Sequence, residues 1–382
     1  MEHTELFAEI RRLERKYLPM WQEICEIESP TSYKEGVDAV ADYCIAKAQA
    51  LGWQVVRGSE DVSGDPVCIT MNGSVDAKPI CLSAHMDTVH PVATFGKPAV
   101  RVEGDKIYGP GVHDCKGNIV AALMTMEALQ NCGYSKRPVK LILQSDEETG
   151  SAGSQKHTVD FMAQQAEGCL CFLNMEPHIS PKVTVQRKGI MKIRFDITGK
   201  AGHAGKCYDF ASAITEAAHK ILKVEVWKEK EGITCSVGTV SGGTGINVVP
   251  ETCSFSVDVR FTNAEEQDKI RTYLQEVADT AHVPGTSCTM TLVSTRVAMP
   301  KTEGALALVA QMNGIFEKAG LPVLTPTAVP GGSDCADMVS RGFVGVDSLG
   351  IEGGGSHSIS EWARLSSLVP CCDRIGALVW YL

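Results

Sequence analysis

At 382 residues the chain exceeds what a single hydrophobic core holds comfortably, and it points to two domains. Its 44% hydrophobic and 21% charged content is that of a globular protein, and a formal charge of −10 argues against a nucleic-acid footprint, which would need a basic face. No apolar run approaches the roughly 20 residues of a membrane-spanning helix.

Taken in chain order, residues 5–28 and 36–51 read as amphipathic helices, separated by the break Ser29-Pro30-Thr31-Ser32. Short β-rich runs follow at 53–56, 67–71 and 80–84, then a helix over 116–130, a strand over 139–145, a helix near 154–166 and a strand over 169–174. This alternation predicts an α/β fold with a mostly parallel sheet and helices on both faces, whose chemistry sits at the carboxyl ends of the strands. After about residue 188 the rhythm changes to strand 190–199, long helix 208–228, strands 233–240 and 252–261, helix 264–281 and strand 287–295. That β-α-β-β-α-β order predicts an inserted α+β, ferredoxin-like domain. From about 298 the first pattern resumes, with a helix at 302–319 and a final helix after Glu361. The expected division is 1–187 and 298–382 for a catalytic domain and 188–297 for the insert.

The fifteen cysteines are odd in number, lie in apolar runs such as Cys169-Leu170-Cys171-Phe172, and form no CxxC pair. The N-terminus reads as a charged amphipathic helix and not as a secretory leader. The expectation is free thiols packed as small hydrophobes in a cytoplasmic protein.

Five stretches offer carboxylates or imidazoles in an order that suggests a metal-centred site. His85 and Asp87 close the run ICLSA, with side chains on one face: His85 as a ligand, Asp87 as acceptor of its other ring N–H. Asp114 stands in the glycine-rich turn Gly109-Pro110-Gly111-Val112-His113-Asp114, where both its oxygens can reach metal. The turn superficially resembles a dinucleotide loop but lacks GxGxxG. Beside it, Cys115 reads as a packed thiol. Glu147 and Glu148 follow the strand over 139–145, so one can bind metal while its neighbour faces substrate as a base. Glu176, after CLCFLN, and His357, in a glycine loop, complete two metal shells. His203, in Ala201-Gly202-His203-Ala204-Gly205, is a candidate oxyanion donor. Arg260 and Asn247 are candidates for a substrate carboxylate, with Arg187 and Lys188 as further ones.

With these residues in view, the chain resembles the dinuclear-zinc amidohydrolases that include glutamate carboxypeptidase, aminoacylases, acetylornithine deacetylase and succinyl-diaminopimelate desuccinylase. The stretches that carry the resemblance are SAHMDTV, GPGVHDCKGN, SDEETGS, NMEP, GKAGHAG, GINVVP, SVDVRF, GGSDCAD and GSHSISEW, spread from about residue 20 to the end. The resemblance implies two Zn2+ per subunit, with Co2+ or Mn2+ as substitutes. One ion would be held by His85, Asp114 and Glu176, the other by Asp114, Glu148 and His357. It implies Glu147 as general base, Asp87 as orienter of His85, and Asn247, Arg260, Arg187 and Gly332 around the substrate. It further implies a homodimer formed through the insert, with His203 reaching the partner's active site. The substrate is then a small peptide or N-acyl amino acid, cleaved beside a free-carboxylate amino acid. A biosynthetic deacylase of the acetylornithine or succinyl-diaminopimelate type is the alternative, and a catalytically silent binding protein is the alternative of another class. GGSDCAD leans toward carboxypeptidases and Arg187-Lys188-Gly189 toward deacylases, so the acyl group stays open.

Overall fold

A computed structural model describes residues 3–382 and divides the chain into two compact units. The first runs to Val185 and resumes at Lys301–Ala328 and Ser333–Leu382; the second comprises Gln186–Pro300 with Val329–Gly332.

In the first unit a six-stranded sheet has the order Gln54–Arg57, Val67–Met71, Val139–Gln144, Ile80–His85, Cys171–Asn174, Gly345–Val346. The last four strands are parallel, and the first two join antiparallel. The central strands are buried along almost their whole length, with Lys140 half-exposed, because both faces are covered. Val67, Ile69, Leu82, Leu141 and Leu173 enter one core together with the helices His3–Glu26, Lys116–Asn131 and Leu368–Tyr381. Helices His157–Gln165 and Asp334–Ser340 pack against the strands from the alternate side. A small antiparallel sheet, Gly353–Gly354, Trp362–Arg364, Lys106–Tyr108, Arg101–Glu103, had no clear sequence signal. Its strands are two or three residues long, too short for a period to register.

In the second unit the four-stranded antiparallel sheet has the order Thr234–Gly242, Thr252–Phe261, Gly189–Thr198, Ser287–Arg296. Alternation decides which face is buried. Met191, Ile193, Phe195 and Ile197 pack with Phe255, Val257 and Val259 beneath helices Ala213–Val224 and Ala264–Asp279. The expected helix over 208–228 is shorter than its apolar pattern suggested. Lys200 and Ala211 exchange backbone hydrogen bonds, which holds the chain extended there, and Ser212 caps the helix by accepting from Thr215 N–H. Residues 329–332, expected with the catalytic part, cluster with the second unit. There Arg187 donates to the carbonyls of Gly331 and Gly332, and Lys188 N–H donates to Val329.

All fifteen cysteines are free thiols, and most are buried. No helix among the described residues is long and apolar enough to cross a membrane.

One buried acid in the final helix gives a stability prediction. Burial pushes the Asp373 carboxyl up to about 6; its Oδ2 accepts from Arg11 at 3.2 Å, while its Oδ1 is buried without a hydrogen bond. Because the folded value lies above the unfolded one, the associated stability is present at low pH and is lost as pH rises through about 6. Asp373→Asn is therefore expected to raise Tm by about 2–4 °C at pH 8 and to leave it nearly unchanged at pH 4. Thermal melts of both proteins at the two pH values check this, and an equal shift at both would contradict it.

Candidate metal centre

Three parallel neighbours in the large sheet, Val139–Gln144, Ile80–His85 and Cys171–Asn174, end on the same edge. His85 is the last residue of its strand, Glu147 and Glu148 open a 3-10 turn three residues after theirs, and Glu176 follows two residues after the third. The expectation that the glutamates sit directly at a strand end is thus refined: the single turn Glu147–Thr149 presents them.

Two donor groups form there. His85, Asp114, Cys115 and Glu176 make one; Asp114, Glu148 and His357 make the other, with the donor atoms of each within 4.8 Å of one another. Asp114 belongs to both. Its Oδ1 lies 3.0 Å from His85 Nε2, and its Oδ2 lies 3.4 Å from His357 Nε2. Glu176 Oε1 is 3.8 Å from His85 Nε2, and Glu148 Oε2 is 3.0 Å from His357 Nε2.

The electrostatics of this cluster call for cations. Burial pushes the Glu148 carboxyl up to about 8, and burial together with the nearby Asp114 charge raises Glu176 well above the carboxylate range. Hydrogen bonds to Asp114 and Glu148 hold the His357 imidazolium up to about 10. Burial alone would raise Asp114, but hydrogen bonds from His357 and His85 outweigh it and depress its carboxyl. Three carboxylates with only two imidazoles among them form a hard, oxygen-rich donor set that fits two divalent ions sharing Asp114. Cys115 lies within reach, yet burial pushes its thiol up to about 12, and its Sγ–H is directed at the Met175 carbonyl. In this arrangement it is held as a buried, hydrogen-bonded thiol.

Asp87 does more than the sequence suggested. Its Oδ1 accepts from Glu147 N–H and its Oδ2 from Glu148 N–H, both at 3.1 Å, and Thr31 Oγ1 donates to Oδ2 at 2.7 Å. His85 Nδ1 stands 3.0 Å from the Asp87 backbone carbonyl and 3.3 Å from Asp87 Oδ1. One buried carboxylate therefore fixes both the imidazole and the turn that carries the two glutamates. Thr31 escaped sequence reasoning because the Ser-Pro-Thr-Ser break reads as a loop whatever its contacts.

The remaining candidates lie in the second unit and form two sets. His203 pairs with Val248 in a two-stranded ribbon, and Ala204 N–H donates to the Asn247 carbonyl at 3.0 Å, which brings His203 and Asn247 together. The exposed His203 ring accepts from Gly205 N–H through Nδ1. Elsewhere, Arg260 pairs with Asp258 and donates to the Pro330 carbonyl, while Arg187 donates to Gly331 and Gly332. Arg296 joins them, since a Cβ on Gly332 would stand 2.8 Å from its Cδ. A side chain at position 332 would have to displace the flexible end of Arg296, a contact that local sequence does not reveal.

The chain is similar to known proteins over most of its length. Residues 81–380 match the model of peptidase family M20/M25/M40. The chain is 29% identical over 355 residues to carboxypeptidase G2 of Pseudomonas sp. (strain RS-16), an alignment covering 91% of this chain and 84% of that protein. The fold is shared with aminopeptidase PepT of Bacillus cereus, at a TM-score of 0.81 and 18% identity over 96% of this chain and 98% of that one. It is also shared with a dinuclear metal-binding M20 peptidase of Bacillus subtilis, at a TM-score of 0.72 and 16% identity over 97% and 98%. With three hundred of its residues matched and a carboxylate-rich cluster at the expected strand ends, the chain belongs to peptidase family M20/M25/M40 and is a metal-dependent hydrolase of that family.

Proposed function

We infer that the protein is a two-zinc hydrolase that cleaves an amide bond beside an amino acid with a free carboxylate, as a metallo-carboxypeptidase or an N-acyl-amino-acid amidohydrolase. The observation that carries this reading is Asp114, whose two oxygens face two separate imidazole-carboxylate groups. His85, Asp114 and Glu176 would hold one ion, and Asp114, Glu148 and His357 the other. When bound, such a pair supplies Lewis acidity for the scissile carbonyl and a water acidic enough to ionise near neutral pH. Zinc suits the mixed imidazole and carboxylate donors, and Co2+ or Mn2+ are accepted by the same set.

Around the ions the chain's own residues divide the work. Glu147 takes the proton of the attacking water and returns it to the leaving amine. Asp87 holds His85 and the 147–148 turn in register. His203, reaching the partner's active site in the dimer, donates to the developing oxyanion, and Asn247, held beside it, meets the substrate carboxylate there; Arg260 meets that carboxylate within its own chain, with Arg187 and Gly332 shaping that side of the subsite. A cytoplasmic homodimer is part of the proposal. Its support is the edge strand Thr234–Gly242 and the neighbouring helix Ala213–Val224, which expose Val240, Ile214 and Leu222. The buried thiols fit a reducing compartment.

The reading is tested by primary-amine release from N-acyl amino acids and dipeptides, including acetylornithine and succinyl-diaminopimelate, with zinc-loaded and chelator-stripped protein. Release is expected only from the loaded form, restored by added Zn2+, and confined to a few members that then name the acyl group. Equal release from stripped protein would refute the metal-dependent mechanism. A zinc-loaded protein inert on every member would favour a silent binding protein.

A further inference from the structure

The Glu361 side chain is 1% exposed, yet it belongs to neither donor group. Its Oε1 accepts from the N–H groups of His113 at 2.9 Å and Asp114 at 3.0 Å, and its Oε2 accepts from Gly111 N–H at 3.3 Å. His90 Nε2 lies 3.0 Å from the same Oε2; its ring is buried and stands edge-on to Phe95. The backbone of Glu361 is engaged as well. Its carbonyl accepts from Gly109 N–H at 3.3 Å, and its own N–H donates to the Ser358 carbonyl at 3.0 Å. One residue is therefore tied both to the turn carrying Asp114 and to the loop carrying His357. A second link joins the same two segments, His113 Nδ1 to Ser356 Oγ at 3.0 Å.

The turn over 109–115 belongs to neither a helix nor a strand. Three of its N–H groups converge on a single point, the arrangement that elsewhere binds a free anion. Here a side chain far along the sequence supplies the anion. Asp114 must present its two oxygens in two directions at once, so a small shift of this turn moves both donor groups together.

We propose that Glu361, backed by His90, is a positioning residue that fixes the shared carboxylate Asp114 relative to His357, and that metal affinity depends on it. The proposal rests on the metal reading above. Glutamine at this position has only one oxygen, so it keeps part of the N–H set, and its NH2 faces a donor on the other side. Alanine keeps none.

The test is Zn2+ affinity by chelator competition on stripped wild type, Glu361→Gln, Glu361→Ala and His90→Leu, with circular dichroism melts of the metal-free forms. Glu361→Ala is expected to bind Zn2+ about 100-fold more weakly and Glu361→Gln about tenfold more weakly, with His90→Leu showing a smaller loss. Excess zinc should then restore kcat of Glu361→Gln with KM unchanged. Folded Glu361→Ala and Glu361→Gln proteins that bind zinc within twofold of wild type would overturn the proposal. Should the alanine variant not fold, Glu361→Gln decides by the same criterion. A wild type that binds neither zinc, cobalt nor manganese would overturn the metal reading itself, whereas a binding wild type with unchanged variants sinks only the role of Glu361.

Discussion

Replacing Glu147 by glutamine is expected to lower kcat by about 10²–10⁴-fold while leaving both metal-binding events intact. Glu147 is buried and lies outside both donor groups, so its removal does not open either ion's shell. Its backbone is pinned by Asp87, and the isosteric amide keeps the turn in place. What the amide would lose is the capacity proposed for Glu147, to accept a proton from water and pass it to the leaving amine. The neighbouring Glu148→Gln is the informative contrast, since Glu148 stands 3.0 Å from His357 within the second donor group. That change is expected to weaken metal retention itself, so added zinc should recover part of the activity of Glu148→Gln and none of the activity of Glu147→Gln. Steady-state kinetics with metal analysis of each protein decides the matter. A Glu147→Gln protein with a near-wild-type rate would rule out its role as the base.

Lys220→Met is expected to destabilise the second unit by about 3–5 kcal/mol. Lys220 is buried on helix Ala213–Val224, and its Nζ donates to the carbonyls of Val277, Ala278 and Thr280, where helix Ala264–Asp279 ends. Those carbonyls lack intrahelical partners, and a cation there also favours the negative end of the helix dipole. The ammonium pairs with Glu216 at 3.0 Å, which in turn accepts from His282 and Val283 N–H. Burial works against that carboxylate, but these donors and Lys220 hold it below its usual range. Methionine fills the space and leaves a buried charge and the carbonyls unanswered, so the cost exceeds that of a lost surface ion pair. Urea denaturation measures the total, and faster hydrogen exchange in Ala264–Asp279 localises it. A loss below about 1 kcal/mol would show the network to be dispensable. The double variant Glu216→Gln with Lys220→Met should recover part of the loss, because no uncompensated charge remains.

The local sequence was informative wherever one residue's chemistry coincided with an element's end. His85, Glu147, Glu148 and Glu176 could be placed because apolar strands end at or just before them, and strand ends are where a parallel sheet opens to solvent. Asp114 and His357 stood out through the glycines around them. The alternation over 190–199 and 252–261 likewise revealed the second sheet and its buried face, since a period of two needs no distant partner to be seen.

Tertiary structure alone decided the rest, and for one reason: those features depend on residues far apart in sequence meeting at a point. Which oxygen of Asp114 faces which imidazole is set by two loops more than two hundred residues apart that share Glu361. Asp87 became the clamp for the 147–148 turn only once strands 80–85 and 139–144 lay side by side. The helix expected over 208–228 lost its first turn to a backbone bridge with Lys200, a contact that no helical periodicity encodes. Propensity and pattern specify where an element can form and which side chains it offers. Long-range hydrogen bonds to buried carboxylates specify where those side chains finally stand, and in this protein they shape the metal centre.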